Sequence, residues 1–357
     1  MQGKPLTDIA QASPDWLTEV LTVHGTLQRG RVISVTTEAG TSPHSTNARL
    51  LIGYSQEAEG VCPQSLLLKI SRSTAEFGTS ELDYYFQIAK RMENPPIPHC
   101  YHADYSASVG AYHLLLEDLS TTHIARWQGD PSLANGRSAI DSLAHLHAHW
   151  WNHPELPAIV GEYPTAETIE RYLDPARQGL LPLIAEMGAE LSIEDRNTLE
   201  RVFERQGALM IERAKEQSSL TCIHGDPNPG NVLSPLEPDG RAYLIDRQPF
   251  DWSLVVWTGA SDLAYMMVHW WEPERRRTLE KPLLDRYLQQ LEARGVRGYS
   301  LEALWYDYRL SAMQSLYVAT EWCRTEADIQ GMKWVWLPQL RKTLIALREL
   351  DCLALLN

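Results

Sequence analysis

The sequence predicts an α+β protein, with a small antiparallel sheet and one helix in its first third and a larger, mainly helical part after it. Three observations lead there. Runs rich in β-branched and leucine residues, broken by a Gly/Ser turn, fill the first 116 residues; helical periodicity takes over from about residue 121; and the join between the two is short, with no low-complexity linker. Eleven of the twelve tryptophans follow residue 120, so the parts differ in composition as well as in pattern. The expected division is 1–116 and 117–357, two lobes of one unit with a hinge at about 117–120.

After a short helix near residues 16–20, residues 28–37 and 47–54 read as strands on either side of a turn over residues 38–45. A third apolar run, Ser65-Leu66-Leu67-Leu68-Lys69-Ile70, precedes a helix at about 79–91, and strands follow at 99–105 and 111–116. In the second part, Ile140, Leu143, Ala144, His147 and Trp151 recur at helical spacing. Ser192 stands as a cap ahead of Leu199, Val202, Phe203 and Leu209. The tail, 281–356, is mostly helical.

Composition narrows the function. The 357 residues carry 32 Lys and Arg against 46 Asp and Glu, a formal charge of −14, which disfavours a broad grip on nucleic acid but leaves room for a small phosphorylated ligand. Five scattered cysteines form neither a disulfide framework nor a CxxC pair, and the N-terminus has no apolar run fit for a secretory signal. A cytoplasmic protein is therefore expected. Residues 252–271 are apolar but hold Asp262, Ser253, Thr258 and Ser261, so they read as a loop and an amphipathic helix starting near Ser261 instead of a membrane span. Its buried face would be Leu263, Met266, Met267 and Trp270.

The chemistry concentrates in His224-Gly225-Asp226-Pro227-Asn228-Pro229-Gly230-Asn231, followed by Leu244-Ile245-Asp246. Proline and glycine exclude helix, so Asp226 and Asn231 project from an irregular loop between short apolar strands. If the strands at 220–223 and 242–245 pair as a hairpin, Asp226, Asn231 and Asp246 converge. Two carboxylates and an amide oxygen suit magnesium bridging phosphate oxygens, with one carboxylate left to accept a hydroxyl proton. For Asp226 the plainer alternative is a carboxylate capping its own loop, and for Asp262 a helix N-terminal charge.

These residues, with Ser261-Asp262-Leu263-Ala264 downstream, resemble the phosphotransferases of the aminoglycoside-kinase and choline-kinase-like group, closest to their ecdysteroid-kinase-like branch. The resemblance implies a bilobal protein-kinase-like fold, ATP and Mg2+ as cofactors, and a hydroxylated small molecule as acceptor. It implies Asp226 as catalytic base or hydroxyl-orienting group, Asn231 and Asp246 as magnesium ligands, and His224 and Asp262 as residues holding the loop. In the first lobe it implies Lys69 on the phosphates, steadied by Glu81, and adenine read near Glu117 and Leu119 in His113-Leu114-Leu115-Leu116-Glu117-Asp118-Leu119. A phosphate-covering turn over 40–45 would include Gly40 and Ser42, although it lacks a full GxGxxG. Leu143-Ala144-His145-Leu146-His147 resembles a helix of the same group. Arg247, where relatives often have an aromatic residue, would touch phosphate or pair with a carboxylate.

Two other readings compete: a nucleotide-binding regulatory protein without turnover, and a zinc hydrolase built on His145, His149 and His153, one helical turn apart. Trp270, Trp271, Trp305, Trp334 and Trp336 would form either a substrate wall or helix packing.

Overall fold

Strands of β-branched and leucine residues need a covered face, and in the first third they obtain it by pairing as a five-stranded antiparallel sheet. Its order is Val32–Ala39, Ser45–Tyr54, Ser65–Ser71, Ala111–Glu117 and Cys100–Ser106. The structure is a computed structural model describing residues 4–40, 45–71, 78–126 and 131–357. Its contacts define two compact units, Met1–Glu93 with Ile97–His123 and Asn94–Pro96 with Ile124–Asn357.

In the first unit, Leu50, Leu66, Leu68 and Ile70 face a core completed by Leu17 and Leu21 of the helix Pro14–Val23. Ser13 caps that helix, accepting from the Trp16 amide at 3.2 Å. The pleat sends alternate residues to opposite faces, so Lys69, paired with Asn47 and Leu114, points away from the core that Leu68 and Ile70 fill. The helix expected over 79–91 is a single α turn, Ser80–Asp83, that opens into a π-helical turn at Tyr84–Ile88 and a 3-10 turn at Ala89–Arg91. Tyr84, Tyr85 and Ile88 are all buried, and the wider π turn carries these three side chains inward together.

The second unit is a helical assembly with short strand pairs. Ser132 and Asn135 form a capping box that starts the helix Leu133–Trp150, which buries Ile140, Leu143, Ala144, His147 and Trp150. Ser192 caps Ile193–Lys215. The helices Ala166–Met187 and Leu301–Glu321 pack so closely that a Cβ on Gly179 would lie 1.8 Å from the Thr320 carbonyl oxygen. No helix among the described residues is long and apolar enough to cross a membrane. The helix expected from Ser261 is α-helical only over Ala260–Ala264 and continues as a π-helix, Tyr265–Trp270. That segment buries Val268 and His269 as well as Met266 and Met267, so it is enclosed on more than one face, and Trp270 is only half-buried.

The strand pairing differs from the expected hairpin. Thr221–Cys222 pairs with Val256–Trp257, whereas Val232–Pro235 pairs with Tyr243–Leu244. The loop between 222 and 232 therefore bridges two ladders. Asn231 and Asp246 still approach, because the second ladder runs on into an Ile245 N–H to Asn231 carbonyl bond of 3.0 Å.

Candidate active site

Asp262 organises the second unit's polar centre. Buried at the start of the Ala260–Ala264 helix, it accepts from the backbone N–H of His224 at 2.6 Å and of Gly225 at 2.8 Å, and from His147 Nε2 at 3.0 Å. Burial pushes its carboxyl up, but the hydrogen bond and charge of His147 and the other donors outweigh that and hold its pKa below the usual range. His147 lies 2.9 Å through Nδ1 from the Tyr287 hydroxyl. A Cβ on Gly259 would sit 2.2 Å from that hydroxyl and 2.6 Å from Nδ1, so the His147–Tyr287 pair requires glycine there.

The loop thus held presents Asp226. Gly225 turns it with φ +85°, and His224 Nε2 donates to the Ile245 carbonyl at 2.9 Å, tying the loop to the strand that leads into Asp246. Burial drives His224 down to about 4, so its ring is neutral near pH 7 and its Nδ1 can face the Asp226 amide. Asn228 Nδ2 lies 2.9 Å from both oxygens of Asp226, and Asn231 Nδ2 lies 2.9 Å from Oδ2. Against these donors and the Tyr265 hydroxyl, burial and the nearby charges of Asp246 and Asp262 push the Asp226 carboxyl up to about 6.

Asp246 occupies the left-handed region at φ +61°, uncommon for a residue with a side chain and characteristic of strained functional loops. Asn231 spends its amide nitrogen on Asp226; its amide oxygen makes no hydrogen bond among the described residues. Hard oxygen donors beside carboxylates whose charges raise the Asp226 pKa fit a divalent cation such as magnesium.

Asp226 opens into a cleft of about 200 Å³. Phe250 and Trp252 stack at 4.4 Å on one wall, Tyr172, Trp257 and Trp322 line others, and Glu321 reaches in from the Leu301–Glu321 helix. Burial, aided by the charge of Asp226, lifts Glu321 to about 7. Arg247 also lines this cleft. It donates from Nε to the Ile223 carbonyl at 2.8 Å and more weakly to that of Val255, so its buried guanidinium braces the backbone just beside the paired strands Thr221–Cys222 and Val256–Trp257 instead of pairing with a carboxylate.

In the first unit, Lys69 Nζ lies 2.7 Å from Glu81 Oε1, and the Tyr112 hydroxyl donates to Glu81 Oε2 at 2.6 Å; both charged groups are buried. Glu117 accepts the His99 amide on its side chain and donates its own N–H to the His99 carbonyl. The Leu119 carbonyl closes a turn by accepting from Thr122 and His123, while its N–H has no hydrogen bond among the described residues. Between Glu117 and Leu119, Asp118 is held at about 2 by hydrogen bonds from Ser65, Arg49 and Ser120 that overcome its burial. Gly40 donates to the Asn47 carbonyl at 2.8 Å; Ser42 lies outside the described residues.

The histidines expected as a zinc site do not assemble one. His149 and His153 stack at 5.9 Å, and among the described residues no group of three or more His, Cys, Asp or Glu is placed to hold a metal. His147, between His145 and His149 in sequence, is committed to Asp262. The tryptophans divide: Trp336 is fully buried packing, Trp334 is 72% exposed, and the Asp226 cleft uses Trp252, Trp257 and Trp322.

The model of the ecdysteroid kinase-like family matches residues 73–295, more than half of the sequence. The chain belongs to the ecdysteroid kinase-like family. No curated protein matches it significantly. Among solved structures it is similar to choline kinase from Cryptosporidium parvum Iowa II, with a TM-score of 0.56 and 13% identity over 90% of this chain and 92% of the other. It is similar also to a mutant of the aminoglycoside 2'-phosphotransferase-IIIa in its GDP complex, with a TM-score of 0.53 and 15% identity over 94% and 98%. Plasmodium vivax ethanolamine kinase gives 0.51 and 13% over 88% and 81%. At such identities the likeness establishes the fold, α+β and protein-kinase-like, for this family member.

Several residues that hold this family member's site are not marked by its sequence. Asn228 had a signal, its position two residues after Asp226 in a loop that needs donors. His147 had one too, a polar residue on an apolar stripe. Tyr112, Tyr265, Tyr287 and Glu321 had none, because each meets its partner only through packing.

Proposed function

We propose that the protein is an ATP- and Mg2+-dependent phosphotransferase acting on a hydroxyl of a small molecule. The observation that carries this reading is Asp226: a carboxylate fixed by Asn228 and Asn231, raised to about 6, and opening into an aromatic cleft with Glu321. In this reading the acceptor hydroxyl enters the cleft and points at Asp226, which orients it and takes its proton as the new oxygen–phosphorus bond forms and the bond from the γ-phosphorus to the β-bridging oxygen breaks. Asp246 and the amide oxygen of Asn231 would hold magnesium, whose charge would offset that of the phosphate oxygens. Asp262 and His147 keep the loop in place, and His224 stays neutral.

The first unit, in the same proposal, is the nucleotide-binding part. Lys69, steadied by Glu81 and Tyr112, supplies positive charge for the phosphates, with Gly40 in the turn above them. The N–H of Leu119 and the backbone at Glu117 meet the adenine edge. The second unit then carries catalysis and acceptor selection. The family match supports a kinase, and the GDP complex of the aminoglycoside 2'-phosphotransferase supports nucleotide use. The test is nucleotide consumption by the purified protein with ATP or GTP and Mg2+ across a panel of hydroxylated acceptors. An acceptor-dependent rate that falls at least about a hundredfold in Asp226→Asn is expected; an equal rate in the variant would sink the proposal.

A further inference from the structure

A second cleft, of about 360 Å³, borders the same loop through Pro227, Asn228 and Pro229 but does not include Asp226. Its volume falls within the range of small-molecule sites. Trp270 and Trp271 give it an apolar, aromatic lining. Two cations and one anion face it: Arg126, Lys342 and Glu272. Lys342 is already committed, 2.7 Å from Glu272 and 2.9 Å from the Trp270 carbonyl. Arg126 is not. Its backbone N–H is pinned to the Pro229 carbonyl at 3.0 Å, which fixes the residue beside the loop, while its Nε is buried with no hydrogen-bond partner among the described residues. The guanidinium also makes no ion pair among the described residues, and because Nε has no accessible surface its charge is open to a ligand only through the terminal nitrogens, which a planar carboxylate matches end-on.

We propose that this cleft binds a small aromatic carboxylate, its flat body against Trp270 and Trp271 and its carboxylate on Arg126. The formal charges of Arg126, Lys342 and Glu272 sum to one positive charge, which favours a monoanion over a phosphate dianion. The occupant would lie against Asn228, the residue whose amide nitrogen holds both oxygens of Asp226, and so would touch the loop without competing for the acceptor cleft.

The probe is 4-benzoylbenzoate, a photoreactive aromatic carboxylate, applied to the full chain without nucleotide so that the result does not depend on turnover. Irradiation followed by peptide mapping is expected to place the label on Arg126, Met266 or Lys342, or on residues 131–139, 227–234 or 270–272. Incorporation is expected to fall at least about tenfold with the uncharged 4-benzoylbenzamide on the wild-type protein, and likewise in a folded Arg126→Gln variant. Labelling spread over other peptides, or equal labelling by the amide, would overturn the assignment. Should Arg126→Gln not fold, the carboxylate-against-amide comparison on the wild type decides alone.

Discussion

Replacing Asp226 by Asn should make the protein more stable near neutral pH and less stable in acid. The folded-state pKa of Asp226 is raised from 3.8 to about 6, so the folded form binds a proton that the unfolded chain has released between those values. The stabilising protonated state is fully present below about pH 4, and its advantage is lost as pH rises through 6. At about 1.4 kcal/mol per pH unit, a charged Asp226 therefore costs the fold up to about 3 kcal/mol at pH 7.5. Asparagine removes that cost but turns an NH2 toward the amide nitrogens of Asn228 and Asn231, a loss of about 1 kcal/mol. The net expectation is a gain of about 2 kcal/mol at pH 7.5 and a loss of about 1 kcal/mol at pH 4. Urea unfolding without metal or nucleotide, followed by tryptophan fluorescence, reads it well, since eleven of the twelve tryptophans follow residue 120. A difference between wild type and variant that keeps one sign and size across that pH range would refute the reasoning.

Asp262→Ala strips three hydrogen bonds, those from the buried His224 and His147 and from the Gly225 amide, and should cost about 3–5 kcal/mol in the same denaturation series. Gly259→Ala drives a methyl into Tyr287 and His147 and should destabilise by about 1–3 kcal/mol, with a melting temperature close to wild type arguing against the packing described. Tyr112→Phe leaves the Lys69–Glu81 pair but removes one donor to Glu81, so unfolding should become easier by about 1.5–3 kcal/mol, visible as faster amide exchange in the strand Ala111–Glu117. For the proposed reaction, kcat/KM measured at subsaturating Mg2+ should fall as pH drops through about 6, where Asp226 takes up its proton; a rate flat from pH 5 to 8 would remove Asp226 from the role of base.

The residues closest in sequence were the most legible. His224, Asp226, Asn231 and Asp246 lie within 23 positions, in loops whose prolines and glycines leave few conformations, so their convergence can be read from spacing even though the strand pairing differs from the simple hairpin. Lys69 and Glu81 meet because a strand end and the next helical turn bring them together across twelve residues. Helix interiors were harder: neither π-helical turn follows from periodicity, since the period of the apolar residues near Tyr84 and Tyr265 suits an ordinary helix. For Arg247 the sequence suggests a phosphate or a carboxylate partner; the fold replaces the carboxylate with backbone carbonyls, which no neighbouring residue in the sequence announces.

By itself the sequence determined the two-part α+β composition, the family, and the order of polar residues along the loop, because strand and helix periodicity and turn chemistry are local properties of the chain. Only the tertiary structure decided that His147 and Tyr287 secure Asp262, that Glu321 enters the Asp226 cleft, and that Arg126 is left beside Trp270 and Trp271. Those pairings join residues separated by 95 to 145 positions, and at such distances along the chain it is the packing of helices against one another and against the loops, not any neighbouring residue, that fixes which side chains meet.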